Sequence, residues 1–256
     1  MKVIKYLKVL KNSRLPGNQF LLTLSSGEDL PSILPGQFAQ VKIDNTPGTF
    51  LRRPFSIHDV DYENRTITLF IKCVGEGTRS LSQVQKKETI NVIFPLGNTF
   101  TLSPEGNVLL IGGGCGIAPL YFLCKYLRVN QHIKPNVLIG GRTKDDIVHA
   151  KKFSKYATVN FVTEDGSVGE KGMVTDHPVL STHQFDRIYS CGPKPMIQAI
   201  VNYSLQNNIE TEVSLENTMA CGIGACLCCV TGTHHGNQCV CTEGPVFNIK
   251  DLKWEN

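Results

Sequence analysis

Six of the ten cysteines in this 256-residue chain fall between Cys221 and Cys241, in the segment MACGIGACLCCVTGTHHGNQCVCTEGPVF. Cys221, Cys226 and Cys229 stand at C-x4-C-x2-C, and Cys241 follows after eleven residues. This is the plant-type ferredoxin spacing for a 2Fe–2S cluster, and four thiolates suit soft iron–sulfur chemistry. Gly222 and Gly224 lie inside the four-residue gap. Glycine admits φ > 0, so the backbone can wrap closely and bring amide N–H groups to the sulfurs. In a chain with no secretory signal, such a cluster reads as a metal site rather than a disulfide framework. A second parse takes Cys226, Cys229, His234 and Cys239 as C-x2-C-x4-H-x4-C, the spacing of a zinc knuckle. It leaves Cys221 and Cys241 without a role and lacks the basic and aromatic flanks that grip nucleic acid. A Rieske centre needs two His ligands, and the adjacent His234 and His235 supply no C-x-H pair; they read as exposed loop residues. The ferredoxin parse is preferred, with Cys228 and Cys239 as spare thiols beside the site.

A second chemical signal is glycine. LLIGGGCGIAPLYFL (109–123) reads as a buried strand, a glycine turn and a helix. Gly112, Gly113, Gly114 and Gly116 would let backbone approach a pyrophosphate seated on the helix N–H groups. The G-x-G-x-x-G fingerprint is not met, because Gly114-x-Gly116-x-x ends at Pro119. Taken alone, the turn also fits a ligand-free strand–helix junction. SCGPKPM (190–196) puts another glycine turn at the end of a later strand. Ligands of open parallel sheets bind beside such strand ends. Cys191 either borders that ligand or packs in the core.

These residues need elements to position them. Residues 1–100 look all-β: runs at 20–24, 37–43, 66–73 and 89–94 are separated by Gly, Pro, Asn and Asp, which suits a small barrel. From Asn107 the pattern changes to buried-strand runs at 107–111, 136–140, 159–162 and 187–191. Helical spacing of apolar residues follows at 118–130, and a second helix is expected from Pro195 to about Asn207. Alternating strands and helices imply a parallel, doubly wound sheet. From about Thr211 a cysteine-rich segment shows little helical periodicity. A formal charge of +4 without a basic stripe argues against nucleic acid, and Lys151 and Lys152 read as a solvated face. Residues 1–10 alternate charged and apolar side chains, as a strand does and a signal peptide does not. No apolar run reaches the ~18 residues of a membrane span. A soluble, cytoplasmic protein is expected, with Cys73, Cys115, Cys124 and Cys191 as small buried hydrophobes.

Three segments together resemble the ferredoxin–NADP reductase superfamily. RRPFSI (52–57) resembles its R-x-[YF]-[ST] flavin signature, GGGCGIAP (112–119) its G-x-G-x-x-P nicotinamide loop, and CGPKPM (191–196) its C-G-P segment. The resemblance implies a multidomain chain: an antiparallel FAD-binding β-barrel over 1–101, an α/β parallel-sheet NAD-binding domain over 102–210, and a small 2Fe–2S domain over 211–256. Within the superfamily, MACGIGACLCCV, CTEGPVF, VGEGTRSLS (74–82) and TEDGSVGEKGMVTD (163–176) are similar to electron transfer subunits of dihydroorotate dehydrogenase B. That likeness carries over Cys221, Cys226, Cys229 and Cys241 as ligands, the last by its place before T-E-G-P-V-F, and disfavours Cys239. It implies that Arg53 holds a flavin phosphate, which its fixed fork of donors suits. Pro54, Phe55 and Ser56 would run beside the isoalloxazine, with the Ser56 hydroxyl near N5. The backbone of Phe70, Ile71 and Lys72 would bind the flavin, and Gly77 and Thr78 would approach its pyrophosphate. Gly114, Gly116, Cys191 and Gly192 would border the NAD. The implied reaction converts dihydroorotate and NAD to orotate and NADH in pyrimidine synthesis. The base and an FMN would lie in a separate catalytic subunit of a two-plus-two heterotetramer, since no residue here looks like that base. A rival within the superfamily feeds electrons from NAD(P)H to a sulfite reductase, hydrogenase or ferredoxin.

Overall fold

Period-two alternation over the first hundred residues closes an antiparallel barrel. In the computed structural model, which describes residues 1–44, 46, 48–148 and 150–254, strands β1 (Val3–Leu15), β2 (Gln19–Ser25), β3 (Phe38–Val41), β4 (Arg53–Asp61), β5 (Thr66–Lys72) and β6 (Thr89–Leu96) pair in the order β1-β2-β5-β4-β3-β6. Leu7, Val9, Leu22, Leu24, Val41, Ile57, Ile67, Leu69 and Val92 fill the inside and are all fully buried. Each such side chain contributes about 1.5–3 kcal/mol of burial.

One irregularity in this barrel matters for function. β4 pairs with β3 from Arg53 to Ser56, but with β5 only from Ile57 onward. Phe70, Ile71 and Lys72 pair with β2 and have no register partner on β4. The wall therefore parts between β4 and β5, leaving a slot between them. Short helix α1 (Glu76–Leu81) follows at the mouth of the slot.

The second unit is doubly wound, as the alternation of strands and helices implies. β7 (Val108–Gly113), β8 (Asn136–Gly141), β9 (Thr158–Thr163), β10 (Glu170–Lys171), β11 (Arg187–Cys191) and β12 (Glu210–Ser214) run parallel in the order β10-β9-β8-β7-β11-β12. Side chains alternate between two cores. Leu110, Val137, Ile139 and Tyr189 meet α2 (Ile117–Asn130) and Phe153 of α3 (Ala150–Phe153). Leu109, Ile111, Leu138 and Ile188 meet α4 (Val179–Thr182) and α5 (Lys194–Gln206).

The cysteine-rich segment carries the hairpin β13 (Val230–Thr233) and β14 (Gly236–Cys239), with exposed His234 and His235 at its turn. Strand β15 (Val246–Asn248) then returns antiparallel onto β12. The sheet thus runs on past the division expected at 210/211, because β12 continues through Ser214 and β15 belongs to the same sheet.

Polar contacts and a shared core lock the units together. Asn98 donates to the Glu243 and Val246 carbonyls at 2.7 and 2.8 Å and accepts from the Val246 N–H. Glu212 accepts from the Thr101 N–H at 2.8 Å and pairs with Arg187. Lys72 of the barrel reaches Asp146 at 3.3 Å. Phe38 and Leu96, on the outside of the barrel, share a core with Val240, Cys241 and Phe247. Among the described residues no helix is long and apolar enough to cross a membrane.

Candidate functional site

The cysteine loop is organised around its sulfurs by its own backbone. Gly222 and Gly224 take φ of +70° and +83° and Leu227 takes +57°, the left-handed turns that curl the chain inward. The Cys221 sulfur accepts from the N–H groups of Ile223, Ala225 and Cys226 at 3.3–3.4 Å. Cys241 accepts from Gly224 at 3.1 Å, Cys229 from Cys241 at 3.4 Å, and Cys226 from Cys228 at 3.5 Å. The Ile223 N–H first, then those of Cys226 and Ala225, draw the Cys221 thiol down to about 6, whereas burial pushes Cys241 up to about 12.

Cys226 adjoins Cys221, and both Cys241 and Cys239 adjoin Cys229. Among the described residues no three His, Cys, Asp or Glu side chains form a ligand group around one ion. The N–H donors converging on these sulfurs suit the negative charge of the thiolates and sulfides of a 2Fe–2S cluster. His234 and His235 belong to the hairpin turn, and His235 stands 3.5 Å from Asp251. Cys228 points at the Thr218 carbonyl and Cys239 is buried beside Cys229. Cys229 and Cys241 are buried, Cys221 is half-buried and Cys226 is exposed, so one side of the loop faces outward.

The barrel slot brings the residues of the RRPFSI segment together. Arg53, Pro54, Phe55 and Ser56 are half-buried along β4, across the slot from Phe70, Ile71 and Lys72 of β5. Arg53 is steadied by donating to the Leu51 carbonyl at 2.7 Å. Its Nε lies 3.6 Å from where a Cβ on Gly77 would stand, so the missing side chain keeps room beneath the guanidinium. The Thr78 hydroxyl is spent locally: it accepts from Val74 and Gly75 and donates to the Gly75 carbonyl. Thr78 therefore offers a ligand its backbone, not its side chain. Phe70 packs its ring into the core between barrel and sheet, and the Lys72 ammonium is paired with Asp146. These arrangements fit the pyrophosphate and ring of a flavin.

The two glycine turns touch. Gly112 of β7 lies in register with Cys191 of β11, and a Cβ on Gly116 would fall 1.9 Å from the Cys191 carbonyl oxygen. Gly192 packs against Gly113 and Met196 in the same junction. Gly114 differs: with φ +54° and nothing within 4 Å of its Cβ direction, it faces open space at the sheet's carboxyl edge, where a nucleotide would lie. Cys191 is both part of this junction and a buried side chain. Burial holds its thiol well above the ordinary value, and Cys115 is raised to about 11 for the same reason.

Glu216 is the residue the sequence reading missed. The Cys191 thiol donates to its carboxylate at 3.8 Å. Desolvation by neighbouring atoms raises that carboxyl although the residue as a whole is exposed. The strand-end rule that selects the turns after β7 and β11 selects Glu216 when applied to β12.

Residues 216–253 match the iron–sulfur cluster binding domain of dihydroorotate dehydrogenase B, and residues 110–202 match the oxidoreductase NAD-binding domain. The chain is 39% identical to the dihydroorotate dehydrogenase B (NAD(+)) electron transfer subunit of Fusobacterium nucleatum, covering 86% of this chain and 87% of that one. It is 36% identical to that of Lysinibacillus sphaericus, over 94% and 95%. Among solved structures, an NADH-dependent reduced ferredoxin–NADP oxidoreductase studied for flavin-based electron bifurcation superposes with a TM-score of 0.88 at 28% identity, covering 98% and 90%. The ferredoxin reductase of carbazole 1,9a-dioxygenase superposes at 0.68 with 21% identity, over 81% and 67%, and shares the fold. Identity of this order along nearly the whole of both chains places the protein in the family of dihydroorotate dehydrogenase B electron transfer subunits.

Proposed function

We propose that this chain collects electrons released by dihydroorotate oxidation in a partner subunit and delivers them to NAD, through a 2Fe–2S cluster and FAD. The observation that carries the reading is the cysteine loop, its sulfurs ringed by N–H donors, seated on the barrel. When bound, the cluster passes single electrons and the flavin converts them into the two-electron reduction of NAD. The protein's part is to hold and orient. Cys221, Cys226, Cys229 and Cys241 would ligate the irons, with Cys239 and Cys228 outside the ligand set. Arg53 and the space over Gly77 would take the flavin pyrophosphate. Pro54, Phe55 and Ser56 would line the ring, and the backbone of Phe70, Ile71 and Lys72 would bond its polar side. Gly114 and Gly116 would seat the NAD pyrophosphate, with Cys191, Gly192 and Glu216 bordering the nicotinamide. We divide the chain accordingly into a flavin barrel over 1–101, a nucleotide unit over 102–210 and a cluster unit over 211–256, the last returning β15 to the nucleotide sheet.

The partner would be the FMN-containing catalytic subunit, two copies of each chain forming a heterotetramer. The exposed side of the cluster loop supports this, since Ile223, Leu227 and Val230 are 50%, 65% and 36% exposed around Cys226. Apolar residues at such exposure suit an interface. The ten free cysteines suit a reducing cytoplasm. The likeness to the reduced ferredoxin–NADP oxidoreductase favours one alternative, a ferredoxin-linked reductase. Co-purification with the FMN subunit, followed by an anaerobic assay of orotate and NADH, separates them. Stoichiometric NADH from dihydroorotate is expected; NAD(P)H oxidation coupled only to ferredoxin would favour the alternative.

A further inference from the structure

Gln40 is a buried side chain without a use in the fold. Alternation along β3 sends Ala39 and Val41 into the barrel and turns Phe38 and Gln40 outward, under the cluster unit. Gln40 is wholly buried, and neither Nε2 nor Oε1 has a hydrogen-bond partner within the protein. An unsatisfied buried carboxamide is costly where an apolar residue of the same shape would pack freely. Its surroundings indicate which partner it awaits. On one side lies Pro54, its neighbour across the sheet in the flavin strand. On the other lies Gly222, the residue after the first cluster cysteine. A Cβ there would stand 2.6 Å from both Cγ and Nε2 of Gln40, so glycine is required both by its φ of +70° and by this carboxamide.

We propose that Gln40 is a positioning and tuning residue for the cluster: its Nε2–H donates to a cluster sulfur on the Cys221 side and ties the cluster loop to the flavin strand. The proposal rests on the reading of the cysteine loop as a 2Fe–2S site. Donation to a cluster sulfur stabilises the more negative reduced state and so raises the potential. Among the described residues, the N–H groups that donate to the loop's sulfurs all come from the loop and Cys241, so this bond would add a donor from the flavin strand.

The test uses the chain with its cofactors in place. Iron, sulfide and FAD are assayed on the parent first, and a parent lacking iron and sulfide would overturn the cluster reading itself. Q40M then keeps the length of the side chain but removes donor and acceptor. In an EPR-monitored redox titration its cluster potential is expected to move negative, with altered g-values, while the FAD potential stays in place. Parent-like cluster potential and g-values, or a shift of the FAD potential instead, would overturn the proposal. Should Q40M fail to hold its cluster, the parent labelled with side-chain 15N glutamine answers the question. Pulsed EPR of the reduced cluster is expected to show a 15N coupling, and its absence would overturn the proposal.

Discussion

The cluster loop and the flavin slot flank the same strand pair, β3 and β4, yet they are made in opposite ways. The loop is a continuous segment whose glycines and N–H groups enclose its own sulfurs. The slot exists because two strands part at Ile57, and its residues come from β4, β5 and the start of α1. A local site writes its geometry into residue spacing. A site made by strand register leaves only a short signature at one edge.

Cys221→Ser should separate the two most sharply. Iron and sulfide content fall to background, since a serine oxygen poorly replaces a soft thiolate ligand, and electron transfer to the partner is lost. FAD content and NADH oxidation with a small acceptor persist; loss of FAD in the same variant would show that loop and slot fold as one unit. Arg53→Lys probes the other side. Replacing the planar fork by a point charge removes a charge-assisted hydrogen bond of roughly 1.5–3 kcal/mol. The FAD dissociation constant, followed by flavin fluorescence, should rise on the order of ten- to a hundredfold, with iron content unchanged.

Gly116→Ala tests the third region, where two turns meet backbone to backbone. The new Cβ would lie 1.9 Å from the Cys191 carbonyl oxygen. Parting the turns should cost about 1–3 kcal/mol and lower Tm by about 2–4 °C for each kcal/mol, with weaker NADH binding by titration. Lys72→Met should change least. The Lys72–Asp146 pair is partly exposed, and pairs of this kind contribute about 0–1 kcal/mol, so denaturant midpoints should nearly coincide.

The same contrast explains what was legible beforehand. C-x4-C-x2-C with its two glycines picked out the loop whose N–H groups turn on its own sulfurs, and the glycines after β7 and before Pro193 picked out the two turns that meet at the sheet's carboxyl edge. Strand and helix runs were readable because their apolar periods match the faces they bury, as Leu109 and Ile111 against Leu110 show. The return of β15 onto β12 was not readable, since its three residues carry no periodicity. Glu216 lay outside every motif and acquires meaning only beside Cys191. Gln40 looked like any polar residue in a strand until the cluster unit was seen to cover it. The Thr78 hydroxyl illustrates the reverse: a plausible ligand contact by type, occupied in fact by the turn it closes.

The most direct test of the account is a joint assay of iron, sulfide, zinc and FAD on one anaerobically purified sample, with its visible spectrum. The account predicts about two irons and about two sulfides per chain, together with FAD. Zinc without sulfide or flavin, in protein never exposed to oxygen, would contradict it.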